Sequence, residues 1–283
     1  MTDSGYLLEN RKQEAAQRLV LLSALFDPAS LRQFDACGMR HGWRCWEVGA
    51  GGPTLVRKIA ERVGDTGRVL ATDIDASWAK EAASHTIEVR VHDVAQDPPP
   101  DEWFDLIHAR LVLVHLPERE RAFRNMMSVL KPGGWLVLED ADPALQPLSC
   151  IDAYGPEQEL ANRIRQGFRA LLSRRGADIS FGRRLPRMFR NAGMVDRSAE
   201  AYFPVAMPEC IPLEVATIRM IQSDLLKNSI ATEHEIEQHL KNVQAGVLDI
   251  AQPPMISVRG KKPAAPVDAS NAQKIAAAEV RSV

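Results

Sequence analysis

Acidic side chains follow short apolar runs at intervals through the first half of the chain. They are Glu47, Asp73, Asp93 and Glu139. A carboxylate can accept hydrogen bonds from the two hydroxyls of a ribose or from an exocyclic adenine amine. If the apolar runs are neighbouring parallel strands, their carboxyl ends lie at one edge of a sheet and the acids surround one ligand. This pattern predicts a nucleoside-binding site.

A glycine-rich segment follows the first apolar run. Residues 49–54 read Gly-Ala-Gly-Gly-Pro-Thr, between a predicted strand and apolar residues at helical spacing. Glycine lets the backbone approach a ligand closely, and a helix start presents unpaired N–H groups to it. The dinucleotide pattern G-x-G-x-x-G requires glycine at position 54, where the chain has threonine. The pyrophosphate cradle is therefore incomplete, which favours a nucleoside cofactor without phosphates over NAD.

Strands alternate with helices over about 100 residues from residue 44, which predicts a parallel sheet with right-handed crossovers, and the pattern changes beyond residue 142. The predicted strands are 44–48, 68–72, 86–91, 104–109, 135–138, 198–205 and 255–259. The predicted helices are 6–26, one from Pro28 to near Gly38 with Asp27 as its N-cap, 53–63, 76–84, 117–130, 156–174, one ending near Gly193, 212–228 and 232–248. We expect residues 131–134, Lys-Pro-Gly-Gly, to break the chain before the fifth strand.

The order of these motifs resembles that of class I S-adenosylmethionine (SAM)-dependent methyltransferases of the bacterial small-molecule type. The matching segments are Glu47-x-Gly49-x-Gly51, Asp73, His92-Asp93 and Lys131-Pro132-Gly133-Gly134. Pro53 departs from the pattern, because the family often has a further glycine there and proline lacks the amide donor. The resemblance implies an α/β, Rossmann-like class I methyltransferase fold. Its sheet would be mainly parallel and seven-stranded, with helices on both faces, an N-terminal helical cap and inserted lid helices.

The resemblance also implies the residues that bind the cofactor. The methionine part of SAM is expected to contact Glu47, Gly49, Ala50, Gly51, Ala109 and Arg110. The nucleoside part is expected to contact Asp73 at the ribose, and Ile74, Asp93 and the Val94 amide at the adenine. Tyr6 and Arg18 resemble residues of the cap that closes over SAM, with ordinary surface packing as an equal alternative.

Methyl transfer from a sulfonium needs a base only where the nucleophile carries a proton. His115 is the first candidate, because it follows the fourth predicted strand on the cofactor side; a histidine packed at a helix start is the alternative. Asp142, Glu139 and His108 are weaker candidates.

Beyond residue 142, apolar side chains are expected to form the acceptor pocket, although core packing is the favoured alternative for each one taken alone. They are Tyr154, Phe168, Met188, Tyr202, Phe203, Met207, Ile218 and Met220.

The predicted domains are a helical cap (1–43), a SAM-binding core (44–142), the rest of the sheet with the acceptor pocket and lid (143–262) and a disordered tail (263–283).

Composition disfavours several other classes of protein. The 283 residues carry a net charge of −2 with no long basic run, which disfavours nucleic-acid and membrane-surface binding. The apolar stretch at 19–26 is too short to span a bilayer. Four widely separated cysteines indicate reduced thiols and a cytoplasmic protein. His234 and His239 are five residues apart and so face different sides of a helix, which predicts no metal site there.

We therefore predict a SAM-dependent methyltransferase that acts on an oxygen, nitrogen or carbon nucleophile of a small organic acceptor in bacterial specialised metabolism. No metal, nucleic acid or membrane is expected as a partner, and a homodimer is compatible with the sequence. One alternative is a SAM-binding subunit or regulator without catalysis. The other is an NAD(P)-dependent oxidoreductase, against which Thr54 and the lack of a Tyr-x-x-x-Lys pair count.

Overall fold

A computed structural model describes residues 13–264 of the chain. The α-helices in this range are α1 (Gln13–Ala36), α2 (Pro53–Val63), α3 (Arg119–Val129), α4 (Pro156–Arg174), α5 (Leu185–Asn191), α6 (Cys210–Lys227) and α7 (Glu233–Gln244). The strands are β1 (Arg44–Val48), β2 (Arg68–Asp73), β3 (Ile87–Val91), β4 (Phe104–Arg110), β5 (Leu130–Ala141), β6 (Val195–Tyr202) and β7 (Met255–Lys261). No helix in the described range is long and apolar enough to cross a membrane.

All seven strands form one sheet in the order β3-β2-β1-β4-β5-β7-β6. Strands β1 to β5 pair in parallel, whereas β7 is antiparallel to both of its neighbours. The predicted mainly parallel, seven-stranded Rossmann-like sheet is confirmed. The strand order reverses between β1 and β4, which leaves a crevice beyond the carboxyl ends of these two strands.

The central strands are buried on both faces, because alternate side chains enter two different apolar cores. Trp46 of β1 and Ile107 of β4 lie in one core, which α3 and α5 cover. Cys45 and Leu106 lie in the other core, which α1 and α2 cover. Helices α4, α6 and α7 form a third apolar cluster of their own. Burial of the sheet on both faces leaves its carboxyl edge for a ligand.

One continuous helix replaces the two helices predicted before the sheet. Helix α1 contains Pro28, and Asp27 is not its N-cap. Instead the buried Asp27 carboxylate accepts hydrogen bonds from Lys58 at 2.9 Å and from Arg110 at 2.8 Å. Proline removes one helical hydrogen bond. The N-cap prediction is wrong because Lys58 and Arg110 are far from Asp27 in the sequence, so local patterns do not reveal these contacts.

Two other local predictions are wrong. Residues 76–84 contain only a short 3₁₀ turn, Ala79–Ala82, in place of a full helix. Residues 131–134 do not break the fifth strand, because β5 continues through them with a register shift against β4 between Phe104 and Leu106. An irregularity of this kind accommodates extra residues without ending a strand. The proposed division into four domains stays a prediction, and residues 265–283 of the predicted tail lie outside the described range.

Candidate cofactor and acceptor site

A cavity of about 580 Å³ opens beyond the carboxyl ends of the parallel strands. Its strand-edge wall includes the predicted residues Glu47, Gly49, Ala50, Gly51, Asp73, Ile74, Asp93, Val94 and Arg110. Its other wall comes from α1, α4 and α6. The structure therefore brings the glycine loop and three of the four strand-end acids to one cavity, with helices opposite them.

The glycine loop after β1 can only be built with small residues. Gly49 and Gly51 have positive φ angles of 67° and 60°, a region that residues with a side chain rarely adopt. A Cβ on Gly49 would overlap a Val112 methyl, and one on Gly51 would lie 2.9 Å from a Leu19 methyl. The loop is thus closely packed between β4's end and α1, and its backbone faces the cavity.

Asp73, the last residue of β2, holds this loop in place. Its Oδ2 accepts the Gly51 N–H at 2.9 Å, and its Oδ1 accepts the Asp75 N–H at 2.9 Å. Burial raises the pKa of Asp73, although these backbone hydrogen bonds oppose the shift. Each carboxylate oxygen has a second lone pair, so Asp73 can also accept from a vicinal diol in the cavity.

Ile74 and Asp93 lie beside Asp73 at the outer part of the cavity. The Ile74 side chain is 65% exposed there, a large apolar surface that a flat ring could cover. Oδ1 of Asp93 accepts the Ala95 N–H at 2.8 Å, which fixes the turn that follows β3. The second oxygen of this carboxylate can accept a hydrogen bond from an adenine amine.

A buried chain of charges supports the wall from within the sheet. His108 of β4 lies between Glu47 and Glu139, with Nδ1 2.6 Å from Oε2 of Glu47 and Nε2 3.1 Å from Oε2 of Glu139. Burial alone would lower the pKa of His108, but the two carboxylates outweigh it and raise the pKa to about 9. Burial alone would raise the pKa of Glu139, but His108 lowers it to about 2. The imidazolium is therefore charged at neutral pH and donates to both acids.

Arg110, at the end of β4, connects this chain to α1. Its guanidinium donates to Ser30 at 2.8 Å and to Asp27 at 2.8 Å, and the Ser30 hydroxyl donates to Glu139. Arg110 lines the cavity, but two of its donors are already used within the protein. Sequence reasoning missed Ser30 and assigned Asp27 a different role, because the partners of both residues are far away along the chain.

Several predicted site residues lie elsewhere. Ala109 packs in the apolar core and Glu139 is buried inside the sheet, so neither lines the cavity. Asp142 is also buried, paired with Arg183 at 2.6 Å. With Glu139 and His108 held in the buried charge chain, none of the three weaker base candidates reaches the cavity. Tyr6 lies outside the described residues.

His115, the first base candidate, lines the cavity. Enclosure by the cavity walls and the positive charge of Arg18 lower its pKa to about 4, so the ring is neutral at pH 7. Leu111 and Val112, which precede it, also line the cavity, and Leu111 has an unusual φ of 58°. Sequence reasoning missed these two residues, since nothing in a Leu-Val pair signals strained backbone.

The helical wall differs from the predicted acceptor pocket. Of the eight apolar residues predicted there, Phe168 and Ile218 line the cavity. Tyr154 is instead 76% exposed, and Met220 is buried in the cluster of α4, α6 and α7. The remaining four, Met188, Tyr202, Phe203 and Met207, lie outside the cavity lining. Polar residues that sequence reasoning missed, Arg165, Arg169 and Glu214, complete the wall.

Comparison with known proteins agrees with this geometry. A family model described as a methyltransferase domain matches residues 46–138, from β1 into β5. The chain contains a class I SAM-dependent methyltransferase domain. In this methyltransferase domain, the glycine loop and the ends of β2 and β3 occupy the carboxyl edge where the fold class places ligands.

Relatives of the methyltransferase domain include the ubiquinone/menaquinone biosynthesis C-methyltransferases UbiE. The enzyme from Vibrio parahaemolyticus is 38% identical over 130 residues, which cover 42% of this chain and 50% of the relative. This chain thus spans about half the length of the curated relatives it matches.

Solved structures share the fold at low identity. Phosphoethanolamine N-methyltransferase 2 from Haemonchus contortus has a TM-score of 0.55 at 14% identity, over 87% of this chain and 57% of that one. The YcgJ protein from Bacillus subtilis has a TM-score of 0.52 at 15% identity, over 83% of this chain and 97% of that one. These two neighbours support the class I methyltransferase fold.

Within residues 13–264, no group of three His, Cys, Asp or Glu side chains is arranged to hold a metal ion. His239 is one of the two histidines considered as metal ligands in the sequence analysis. It is buried, and its Nε2 lies 3.1 Å from Oε1 of Glu214. The ionisable side chains that line the cavity are carboxylates, histidines and arginines.

Proposed function

We propose that this protein transfers a methyl group from SAM to an oxygen, nitrogen or carbon nucleophile of a small organic acceptor. The observation that carries the proposal is the position of Asp73. It lies at the end of a central parallel strand, on the cavity wall, and is bonded at 2.9 Å to the N–H of Gly51 in the glycine loop. A ribose diol bound there would lie beside the loop.

The charges of the cavity fit SAM better than a dinucleotide. Glu47, Asp73 and Asp93 all line the strand-edge wall next to the glycine loop. Three carboxylates attract the positive charges of a sulfonium and an α-amino group, whereas they repel a pyrophosphate. Together with Thr54, this counts against the NAD(P)-dependent oxidoreductase.

The protein's own task in such a reaction is positioning. SAM supplies an activated methyl group when bound. The tight glycine loop and Asp73 would hold its nucleoside, and Ile74 would cover the adenine from the solvent side. The helices α1, α4 and α6, which form the other wall of the cavity, would shield the reacting atoms from water, and the neutral His115 ring could take a proton from the acceptor.

Replacing Asp73 tests the proposal. We expect Asp73→Ala to weaken SAM binding by about 1.5–3 kcal/mol, the scale of a lost hydrogen bond to a charged group. Isothermal titration calorimetry with SAM, S-adenosylhomocysteine (SAH) and NAD(P) measures this. Asp65→Ala is the matched control, because the Asp65 side chain is 93% exposed in a turn before β2. Tight NAD(P) binding without SAM binding refutes the proposal, and unchanged SAM affinity in Asp73→Ala refutes the ribose contact.

Turnover separates an enzyme from a SAM-binding subunit. Purified protein incubated with methyl-labelled SAM and a mixture of small phenols, amines and acids should release SAH and label an acceptor. SAM binding without any labelled product from this mixture or from a cell-extract metabolite fraction would favour the non-catalytic subunit or regulator.

The proposal places the enzyme in the cytoplasm, in bacterial specialised metabolism. The UbiE relatives offer C-methylation in quinone biosynthesis as the alternative setting, but they match only 42% of this chain, so their acceptor does not carry over directly. A homodimer stays a prediction, which light scattering of the purified protein would decide.

A further inference from the structure

The helical wall of the cavity carries two arginines on the same face of α4. Arg165 and Arg169 are one helical turn apart and both line the cavity. They differ in their partners. This difference bears on the chemistry of the acceptor, because the strand-edge wall is the part assigned to the cofactor.

The charge of Arg165 is balanced within the protein. Its Nη2 donates to Glu214 at 2.9 Å, and also lies 3.3 Å from both Ser149 Oγ and the Ala251 carbonyl. Glu214 in turn bonds His239 at 3.1 Å. Burial alone would raise the pKa of Glu214, but Arg165 and His239 lower it to about 2, so the acid is ionised. Arg165 and Glu214 therefore form a buried ion pair in which the two charges cancel.

Arg169 differs, because no carboxylate among the described side chains, residues 16–264, forms an ion pair with it. Its Nε is buried and has no hydrogen-bond partner among the same side chains and the described backbone. Burial and the neighbouring charge of Arg165 lower the pKa of Arg169. Buried donors are almost always satisfied in folded proteins, so an unsatisfied one on a cavity wall needs an explanation.

A second unsatisfied donor lines the same cavity. Nε2 of Gln252, in the segment before β7, is buried and has no partner among the described residues. Guanidinium and amide N–H groups are both donors, so a ligand that satisfies them must present acceptor oxygens. Donors from two separate parts of the chain, Arg169 and Gln252, thus both require acceptor oxygens on the ligand.

The surroundings of Arg169 define the rest of the ligand. The acids that line the cavity are on the strand-edge wall, except for Glu214, which Arg165 neutralises. Phe168, Leu172 and Ile218 give the helical wall an apolar surface. A planar guanidinium in such a setting binds a carboxylate with two parallel hydrogen bonds. The single guanidinium of Arg169 matches the single negative charge of a carboxylate, whereas a phosphate ester would carry about two.

We propose that the acceptor is an organic carboxylic acid with an apolar body, whose carboxylate is held by Arg169 and Gln252 while the body packs on α4 and α6. The identification of this anion site as the acceptor site rests on the proposed function. Arg169 and Gln252 are then specificity residues, distinct from the glycine loop and Asp73, which hold the cofactor.

The test measures binding to the SAH-saturated protein. The probes are benzoate, 3-phenylpropanoate and decanoate, each with its primary amide, and phenyl phosphate. We expect the best acid to bind at least tenfold more tightly than its amide and than phenyl phosphate, by calorimetry or ligand-observed NMR. In Arg169→Gln this preference should fall at least tenfold. Arg169→Lys should retain part of it, because the charge stays but the two-pronged geometry is lost.

Arg174→Gln is the matched control, since Arg174 is also on α4 but is exposed and donates to Asn228. It should bind the acids like the unmodified protein. Thermal unfolding should show that Arg169→Gln is folded, because the substitution removes no ion pair found in residues 13–264.

Three results would overturn the inference. The first is that no acid binds better than its amide, and the second is that phenyl phosphate binds best. The third is that Arg169→Gln loses SAH affinity while acid binding is unchanged, which would assign Arg169 to the cofactor's carboxylate. Failure of the unmodified protein to bind SAH refutes the proposed function instead, and acid binding measured without cofactor then still shows whether Arg169 forms an anion site.

Discussion

Replacing His108 by leucine removes a cation that is enclosed between two carboxylates. The ring is fully buried, and its nitrogens lie 2.6 Å and 3.1 Å from Glu47 and Glu139. Removing one partner of a buried ion pair leaves an uncompensated charge and costs about 3–5 kcal/mol. Here two carboxylates lose their partner at once, so we expect the free energy of unfolding at pH 7 to fall by about that amount.

The pH dependence of stability should change as well. The pKa of His108 rises from 6.5 to about 9 on folding, so its contribution is fully present below pH 6.5 and is lost as the pH rises through 9. At 1.36 kcal/mol for each pKa unit, this alkaline loss amounts to about 3 kcal/mol in the unmodified protein. The His108→Leu variant lacks the titrating group and should lose less stability over the same range.

Urea unfolding followed by circular dichroism between pH 6 and pH 10 measures both effects. His85→Leu is the control, because His85 is exposed and its partner Asp65 is also exposed, so a change within about 0.5 kcal/mol is expected. Adding Glu139→Gln to His108→Leu should restore part of the stability, since it removes a buried negative charge. A loss below about 1 kcal/mol, or an alkaline decline equal to that of the unmodified protein, would refute the buried imidazolium.

Two further predictions concern the cavity. His115→Ala should lower kcat by about 10²–10⁴ if the ring is the base, with SAH affinity unchanged; kcat of the unmodified protein should then fall on the acid side near pH 4, where the ring is protonated. Unchanged turnover removes His115 from the chemistry. Gly51→Ala should destabilise the protein by about 1–2 kcal/mol through its positive φ and should also weaken SAH binding, because the new Cβ lies 2.9 Å from a Leu19 methyl. Gly133→Ala has a similar φ of 79° but open space around its Cβ, so it should affect stability alone; equal effects of both variants on SAH binding would contradict the loop's role.

Local sequence was sufficient for most elements of the sheet. Strand β1 and helix α2 follow from apolar periodicity, and the glycine loop between them follows from residue types whose backbone preferences are intrinsic. The same reasoning failed at Pro28 and at residues 76–84. In α1 a proline lies inside a helix whose Asp27 bonds Lys58 and Arg110, contacts that only a folded chain provides.

The order of the strands, the glycine loop and the placement of Asp73 and Asp93 at strand ends could be predicted from local sequence, because each depends on neighbouring residues and on the period of the backbone. The enclosure of Glu139 with His108 inside the sheet could not be predicted in this way, and neither could the position of Arg169 on the cavity wall without a partner among the described side chains. The protonation and role of these groups depend on burial and on charges brought together from distant parts of the chain, which folding alone creates. A carboxylate at the end of a predicted strand has the same sequence signature whether it faces a ligand or a buried histidine.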